Sequence, residues 1–182
     1  MANLDEVVKK LSGSLNFPMA PTPLYGGALS LCIPPYLVDA STLRPIPDHQ
    51  EVFVERADSK FNRSLIVELV ALQPELSTEN IGGFFFSDYA SDSDAQSFMT
   101  TSECIRPVEV SGFDCTRVTT GGRMTAHSGE SVTLLVSVLR IPKLASDIVV
   151  IFNAPGLADE ELFGPHEQLI DSLRIHDPSL FI

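Results

Sequence analysis

Residues 131–155 read SVTLLVSVLRIPKLASDIVVIFNAP. Val132, Leu134, Val136 and Val138 alternate with Thr133, Leu135, Ser137 and Leu139, and residues 147–152 are almost wholly apolar. A period of two marks strands, and strands that are apolar on both alternating sets are buried on both faces. Such strands need cover above and below, which predicts one sheet with helices packed on each face.

Working outward, residues 28–33 read as a first strand that Pro34 and Pro35 end, because proline has no amide hydrogen for a sheet ladder. Residues 51–55 form the next strand. The run SLIVELVAL at 64–72 fits helix or strand by length, and its β-branched Ile66 and Val67 tilt it to strand. Within residues 78–98, Ile81, Phe84, Phe85 and Tyr89 fall near helical spacing behind a Ser77/Thr78 cap candidate, with Glu79 close by. A helix there buries one aromatic face. Gly164-Pro165 announces a last helix with Pro165 at its first position, and Leu169, Ile170 and Leu173 form the buried stripe. Asp177-Pro178 stops it, leaving Leu180, Phe181 and Ile182 to tuck under the sheet.

At the other end, Leu4, Val7, Val8 and Leu11 have the spacing of a short amphipathic helix, followed by Gly13-Ser14 and a run containing Pro18, Pro21 and Pro23. The expected organisation is an N-terminal extension at 1–21 and a single domain at 22–182. A chain of 182 residues with 44% hydrophobic composition buries a sizeable core.

The net charge of −12, with 12 Lys and Arg spread along the chain, argues against nucleic acid as a partner, since neutralising phosphates needs basic clusters. It favours a basic protein partner, or serves solubility alone. Cys32, Cys104 and Cys115 are odd in number and lack C-x-x-C spacing, so they read as free thiols in a reducing compartment. With no run near the ~18 apolar residues of a membrane span and no secretory signal, the expectation is a soluble intracellular protein that takes no membrane as partner.

Phosphate-binding glycine fingerprints are missing: the pairs at 26–27, 82–83 and 121–122 lack the lysine or the third glycine. Gly121-Gly122 reads as a turn. Asp92, Asp94, Gln96 and Glu103 fit a calcium loop in part, but Ser97 stands where the sharp turn needs glycine. His49, His127, His166 and His176 show no metal spacing, and adjacent His127-Ser128 makes a poor nucleophile pair because neighbours seldom face each other. No cofactor, no metal and no catalysis by this chain alone are therefore expected. What stands out is LRPIPDHQEVFV at 43–54. Pro45 and Pro47 fix their own φ and stiffen the residues before them, so Asp48 and Glu51 are presented on a stiff loop. Neither acid is expected to be buried. The loop suits docking on a basic partner, or is a connection whose acids are merely solvated.

The segments LYGGALSL, IPP, VDASTLRPIPDHQEVFV, SLIVELVALQ, LRIPKLASDIVVIFNAP and HDPSLF, ordered from residue 24 to 181, together resemble the Ran guanine-nucleotide release factors, the Mog-type nuclear-import proteins. The likeness weakens over 74–130, Tyr36 replaces a small turn residue, and His49 stands where Asn or Thr is frequent. The resemblance implies an α+β fold, an α/β/α sandwich with a central, mainly antiparallel β-sheet covered by helices on both faces. The extrinsic oxygen-evolving-complex proteins of photosystem II share that fold. It implies a GTPase regulator, not an enzyme, that binds Ran and promotes guanine nucleotide release by stabilising its nucleotide-free state. Such a protein supports nuclear import and works in nucleus and cytoplasm, with a second Ran-binding protein as a further partner. The Ran-binding role falls on Asp48 and Glu51, and Gln50 either contacts the partner or caps the turn. Arg44 is expected to hold the loop by pairing with Asp39 or a nearby carbonyl. The alternative is an acidic adaptor that binds a protein partner without nucleotide exchange.

Overall fold

The structure is a computed structural model describing residues 20–56, 59 and 62–181. The amphipathic pattern at Leu4 to Leu11 and the terminal Ile182 lie outside those residues. In chain order the elements are β1 (Pro21–Leu24), β2 (Leu29–Cys32), β3 (Leu37–Asp39), β4 (Gln50–Glu55), β5 (Ser64–Ala71), α1 (Thr78–Asp92), β6 (Ser97–Val110) and β7 (Phe113–Thr125). There follow β8 (Ser131–Ile141), β9 (Ser146–Pro155), α2 (Asp159–Asp171) and β10 (Arg174–Ile175). Seven strands make one sheet in the order β3-β4-β5-β9-β8-β7-β6, and β1-β2-β10 make a smaller one. Every neighbouring pair in the large sheet is antiparallel.

The two-sided pattern of residues 131–155 lies near the middle of this sheet, where β8 and β9 pair from Val132↔Pro155 to Ile141↔Ser146. The alternating sets of β8 then part company. Val132, Leu134, Val136 and Val138 join Ile81, Phe85, Phe86 and Ala90 of α1 in one apolar cluster. Leu135, Leu139 and Ile141 join Leu162, Leu169 and Ile170 of α2, with Leu173 beyond it, in another. Leu180 and Phe181 pack against this second cluster, as their apolar character predicts.

Several expectations need correction. The helix predicted within 78–98 ends at Asp92, and residues 97–125 form the two longest strands. The hydrophobic pattern hides β6 because it is an edge strand with Val110 as its one buried residue. Gly121-Gly122 is no turn but lies inside β7. A Cβ on Gly122 would stand 2.3 Å from the Met99 carbonyl oxygen and 2.8 Å from the Phe86 ring, so glycine lets β6 and α1 approach the strand. Pro165 does not start α2, which begins at Asp159, and so sits inside the helix without an amide to donate. Buried Leu162 and His166 on either side of it show that packing sets this helix, and its acidic DEE opening was the better start signal.

Three buried arginines tie the elements together. Arg140, opposite Asp147 in the β8–β9 register, makes two 3.0 Å bonds to that carboxylate and donates to the carbonyls of Gln73 and Leu76 ahead of α1. Arg117 on β7 pairs with Glu167 and Asp171 of α2. Arg63 pairs with Glu55 at 2.6 Å, and its guanidinium lies 4.4 Å from the Tyr36 ring centre. Tyr36 thus fills a position where a small residue was expected by covering this pair.

Breaking one of these pairs strands a buried charge. Asp147→Ala should cost about 3–5 kcal/mol of unfolding free energy, since it leaves the Arg140 guanidinium uncompensated. Urea denaturation measures this, and a loss below about 1 kcal/mol, the range of an exposed pair, would contradict it.

A polar chain crosses the second cluster: Thr119 Oγ1 lies 2.8 Å from Ser137 Oγ, which lies 2.8 Å from His166 Nε2. Burial, reinforced by the Arg117 charge, pushes the His166 imidazole down to about 3. An unfolded histidine titrates near about 6.5, so below that pH the unfolded chain binds a proton that the folded chain refuses. This contribution to stability is complete above about pH 6.5 and is lost as pH falls toward about 3. In His166→Gln, the fall of unfolding free energy with acid should flatten by up to about 1.4 kcal/mol per pH unit in this window. Parallel pH profiles for the two proteins would contradict the assignment.

Candidate partner-binding surface

The acidic segment is built at the β3 edge of the large sheet. Asp39 ends β3, and its Oδ1 accepts the Ser41 N–H at 2.8 Å, while Thr42 Oγ1 donates to the Asp39 carbonyl at 2.9 Å. This local cap starts a short 3-10 turn, Ala40–Thr42. The Leu43 and Arg44 amides both donate to the Ala40 carbonyl. Pro45 and Pro47 then carry the chain to Asp48, and the Gln50 N–H closes a turn on the Pro47 carbonyl at 2.9 Å. Asp48 and His49 therefore occupy the tip of a hydrogen-bonded turn, with Asp48 exposed.

From Gln50 the chain enters β4, which pairs with β5 through Gln50↔Glu68 and Glu51↔Val67. The Leu69 N–H donates to the His49 carbonyl, and His49 Nε2 lies 3.5 Å from Glu68 Oε1. A second brace comes from the β1–β2 connection. The single Tyr25 O–H is shared between the carbonyls of Val67 at 2.8 Å and His49 at 3.0 Å, and the Tyr25 backbone N–H donates to Glu51 Oε1 at 2.6 Å. Burial, and then the Glu51 and Glu68 carboxylates, push the phenol far above its ordinary range, so Tyr25 remains a donor. Tyr25, Asp39, Ile46, Pro47, Asp48 and Glu51 line one open concavity.

The structure thus brings together Asp48, Gln50 and Glu51, the three residues singled out in the sequence, but in unequal settings. Neither acid is buried: Asp48 is exposed, while Gln50 and Glu51 are half-buried and Glu51 is hydrogen-bonded. The turn is closed by the Gln50 backbone amide. Arg44 does not hold the loop through Asp39, since no ion pair among the described residues involves Arg44; the Asp39 carboxylate accepts the Ser41 amide instead. Two features escaped sequence reasoning. Asp39 lines the concavity as a third acid, and Leu43 is 71% exposed on the same loop. Leu43 was legible as an apolar residue stranded between a cap and two prolines.

Other candidates lie elsewhere. Adjacent His127 and Ser128 lie in the connection between β7 and β8, and His166 is buried in the core. Asp92 ends α1, whereas Glu103 lies on β6 and accepts from Thr120 Oγ1 at 3.2 Å. Among the described residues no group of three or more His, Cys, Asp or Glu is placed to hold a metal ion, and no helix is long and apolar enough to cross a membrane.

Comparison with known proteins gives a consistent result. Residues 22–155 match the family described as Ran-interacting Mog1 protein. The chain is 32% identical over 186 residues to the Ran guanine nucleotide release factor of Bos taurus, covering 90% of this chain and 97% of that one. It is 34% identical over 144 residues to the nuclear import protein mog1 of Schizosaccharomyces pombe, covering 72% and 75%. In fold it is similar to the Saccharomyces cerevisiae Ran-binding protein Mog1p, with TM-score 0.70 at 24% identity over 90% of this chain and 100% of that one. It also shares the fold of a cyanobacterial PsbP from Synechocystis, with TM-score 0.57 at 11% identity over 87% and 92%. With the match spanning both core strands and the acidic turn, the chain belongs to the Ran-interacting Mog1 protein family.

Proposed function

We propose that this protein binds the small GTPase Ran through the acidic turn carrying Asp48, Gln50 and Glu51, and promotes guanine nucleotide release by stabilising nucleotide-free Ran. The observation that carries this reading is an exposed carboxylate, Asp48, on a turn braced from two sides, in a chain of net charge −12. Relatives named as Ran guanine nucleotide release factors and nuclear import proteins support it. Lysine or arginine on Ran meets Asp48, and the negative field of the whole protein speeds encounter. The protein acts as a regulator rather than an enzyme, in nucleus and cytoplasm, supporting nuclear import. In the same reading residues 22–182 are one α/β/α sandwich, helices on both faces of the sheet, and residues 1–21 are an extension.

Steering alone releases no nucleotide. Whatever loosens the nucleotide must itself be held more weakly while nucleotide is present. A coupling of about 1–3 kcal/mol weakens a ligand about 5–150-fold, whereas a nanomolar ligand is held by about 12 kcal/mol. Release therefore requires a larger coupling, or trapping of empty Ran with a second Ran-binding protein until fresh nucleotide arrives.

Release of a fluorescent guanine nucleotide from purified Ran tests this. Wild-type protein should accelerate release, and Asp48→Lys should weaken Ran binding at least about tenfold, ~1.4 kcal/mol, with unchanged thermal stability. Binding without any acceleration would refute release activity and favour the adaptor.

A further inference from the structure

Asp48 and Glu51 look equivalent in sequence, but their hydrogen bonds give them different tasks. Asp48 stands exposed at the tip of the turn, whereas Glu51 is half-buried with Oε1 on the Tyr25 amide at 2.6 Å. Tyr25 is a residue under backbone strain: its φ is +50°, and Gly26 and Gly27 follow at +66° and +96°. Left-handed conformation is unfavourable for a non-glycine residue, and a charge-assisted bond from its amide offsets that cost. The same tyrosine reaches across with its hydroxyl to the His49 and Val67 carbonyls. His49 is the residue between Asp48 and Gln50. The contacts therefore close a ring, from the Glu51 carboxylate to the Tyr25 amide, through the phenol to the His49 carbonyl, and back along the chain to Glu51.

We infer that Glu51 is a positioning residue, holding Tyr25 so that Tyr25 in turn fixes the turn on which Asp48 meets the partner. This assignment rests on the Ran-binding reading above. It makes the Tyr25–Gly27 turn part of the binding machinery although it carries no charge for a basic partner to recognise. It also separates two properties of Glu51 that a contact role would merge. A contact acid needs its negative charge, while a brace needs an acceptor at the position of Oε1.

Affinity for nucleotide-free Ran and amide hydrogen exchange at Tyr25 are measured on the full-length protein and four variants. Glu51→Ala removes charge and acceptor, and should both speed Tyr25 exchange and weaken binding by about tenfold, the scale of one lost charge-assisted bond. Glu51→Gln retains an acceptor, and should keep Tyr25 protected and recover most of the lost affinity. Asp48→Asn should weaken binding while leaving Tyr25 exchange unchanged. Tyr25→Phe should weaken binding through the loosened turn, and it carries the test should Glu51→Ala fail to fold. Equal losses in Glu51→Gln and Glu51→Ala with Tyr25 still protected in both would overturn the assignment, as would unchanged Tyr25 exchange in Glu51→Ala. Wild-type protein that binds no Ran would overturn the functional reading, and the Tyr25 amide would still separate that failure from a missing brace.

Discussion

Everything in this fold is placed by two strands that have no polar face. β8 and β9 carry apolar side chains on both alternating sets, so the centre of the sheet is stable only if each set finds an apolar cluster of its own. The aromatic residues of α1 supply one, and the Leu162, Leu169 and Ile170 stripe of α2 supplies the other. Arginines then fix what hydrophobic contact leaves free to slide. Arg140 locks the β8–β9 register to the approach of α1, and Arg117 locks β7 to α2. Because hydrophobic burial has no direction and these pairs do, the two together specify one arrangement.

That division explains which parts were legible in sequence. The strands at 132–138 and 147–152 announce themselves because burial on both faces leaves mostly apolar letters, and prolines mark the end of β2. The edge strand β6 is illegible for the opposite reason: both alternating sets are exposed over residues 97–105, so nothing selects an alternating pattern in SFMTTSECIRPVEV. Gly121-Gly122 misleads because glycine serves close approach as well as turns, and only the neighbouring Phe86 and Met99 reveal which. Pro165 misleads because α2 gains more from burying Leu162, Leu169 and Ile170 than it loses from one missing amide.

The acidic turn was readable down to Asp48, since proline spacing and charge act locally. Its bracing was not, because Tyr25 lies far from it along the chain and neither tyrosine nor glycine suggests a partner for a carboxylate. The same distance makes the site depend on the fold: β4 is fixed through β5 to β9, and Tyr25 arrives from the small sheet. In the proposed binding role, a turn held from both sides presents its carboxylate with little ordering left to be done, which leaves interaction energy for favouring one state of the partner.

The most direct test of this account is backbone hydrogen exchange of the protein alone and saturated with nucleotide-free Ran. New protection should concentrate on residues 39–51 and on the Tyr25–Gly27 turn, with the β6 edge unchanged. Protection confined to β6 or α1, with the acidic turn exchanging as freely as before, would contradict it.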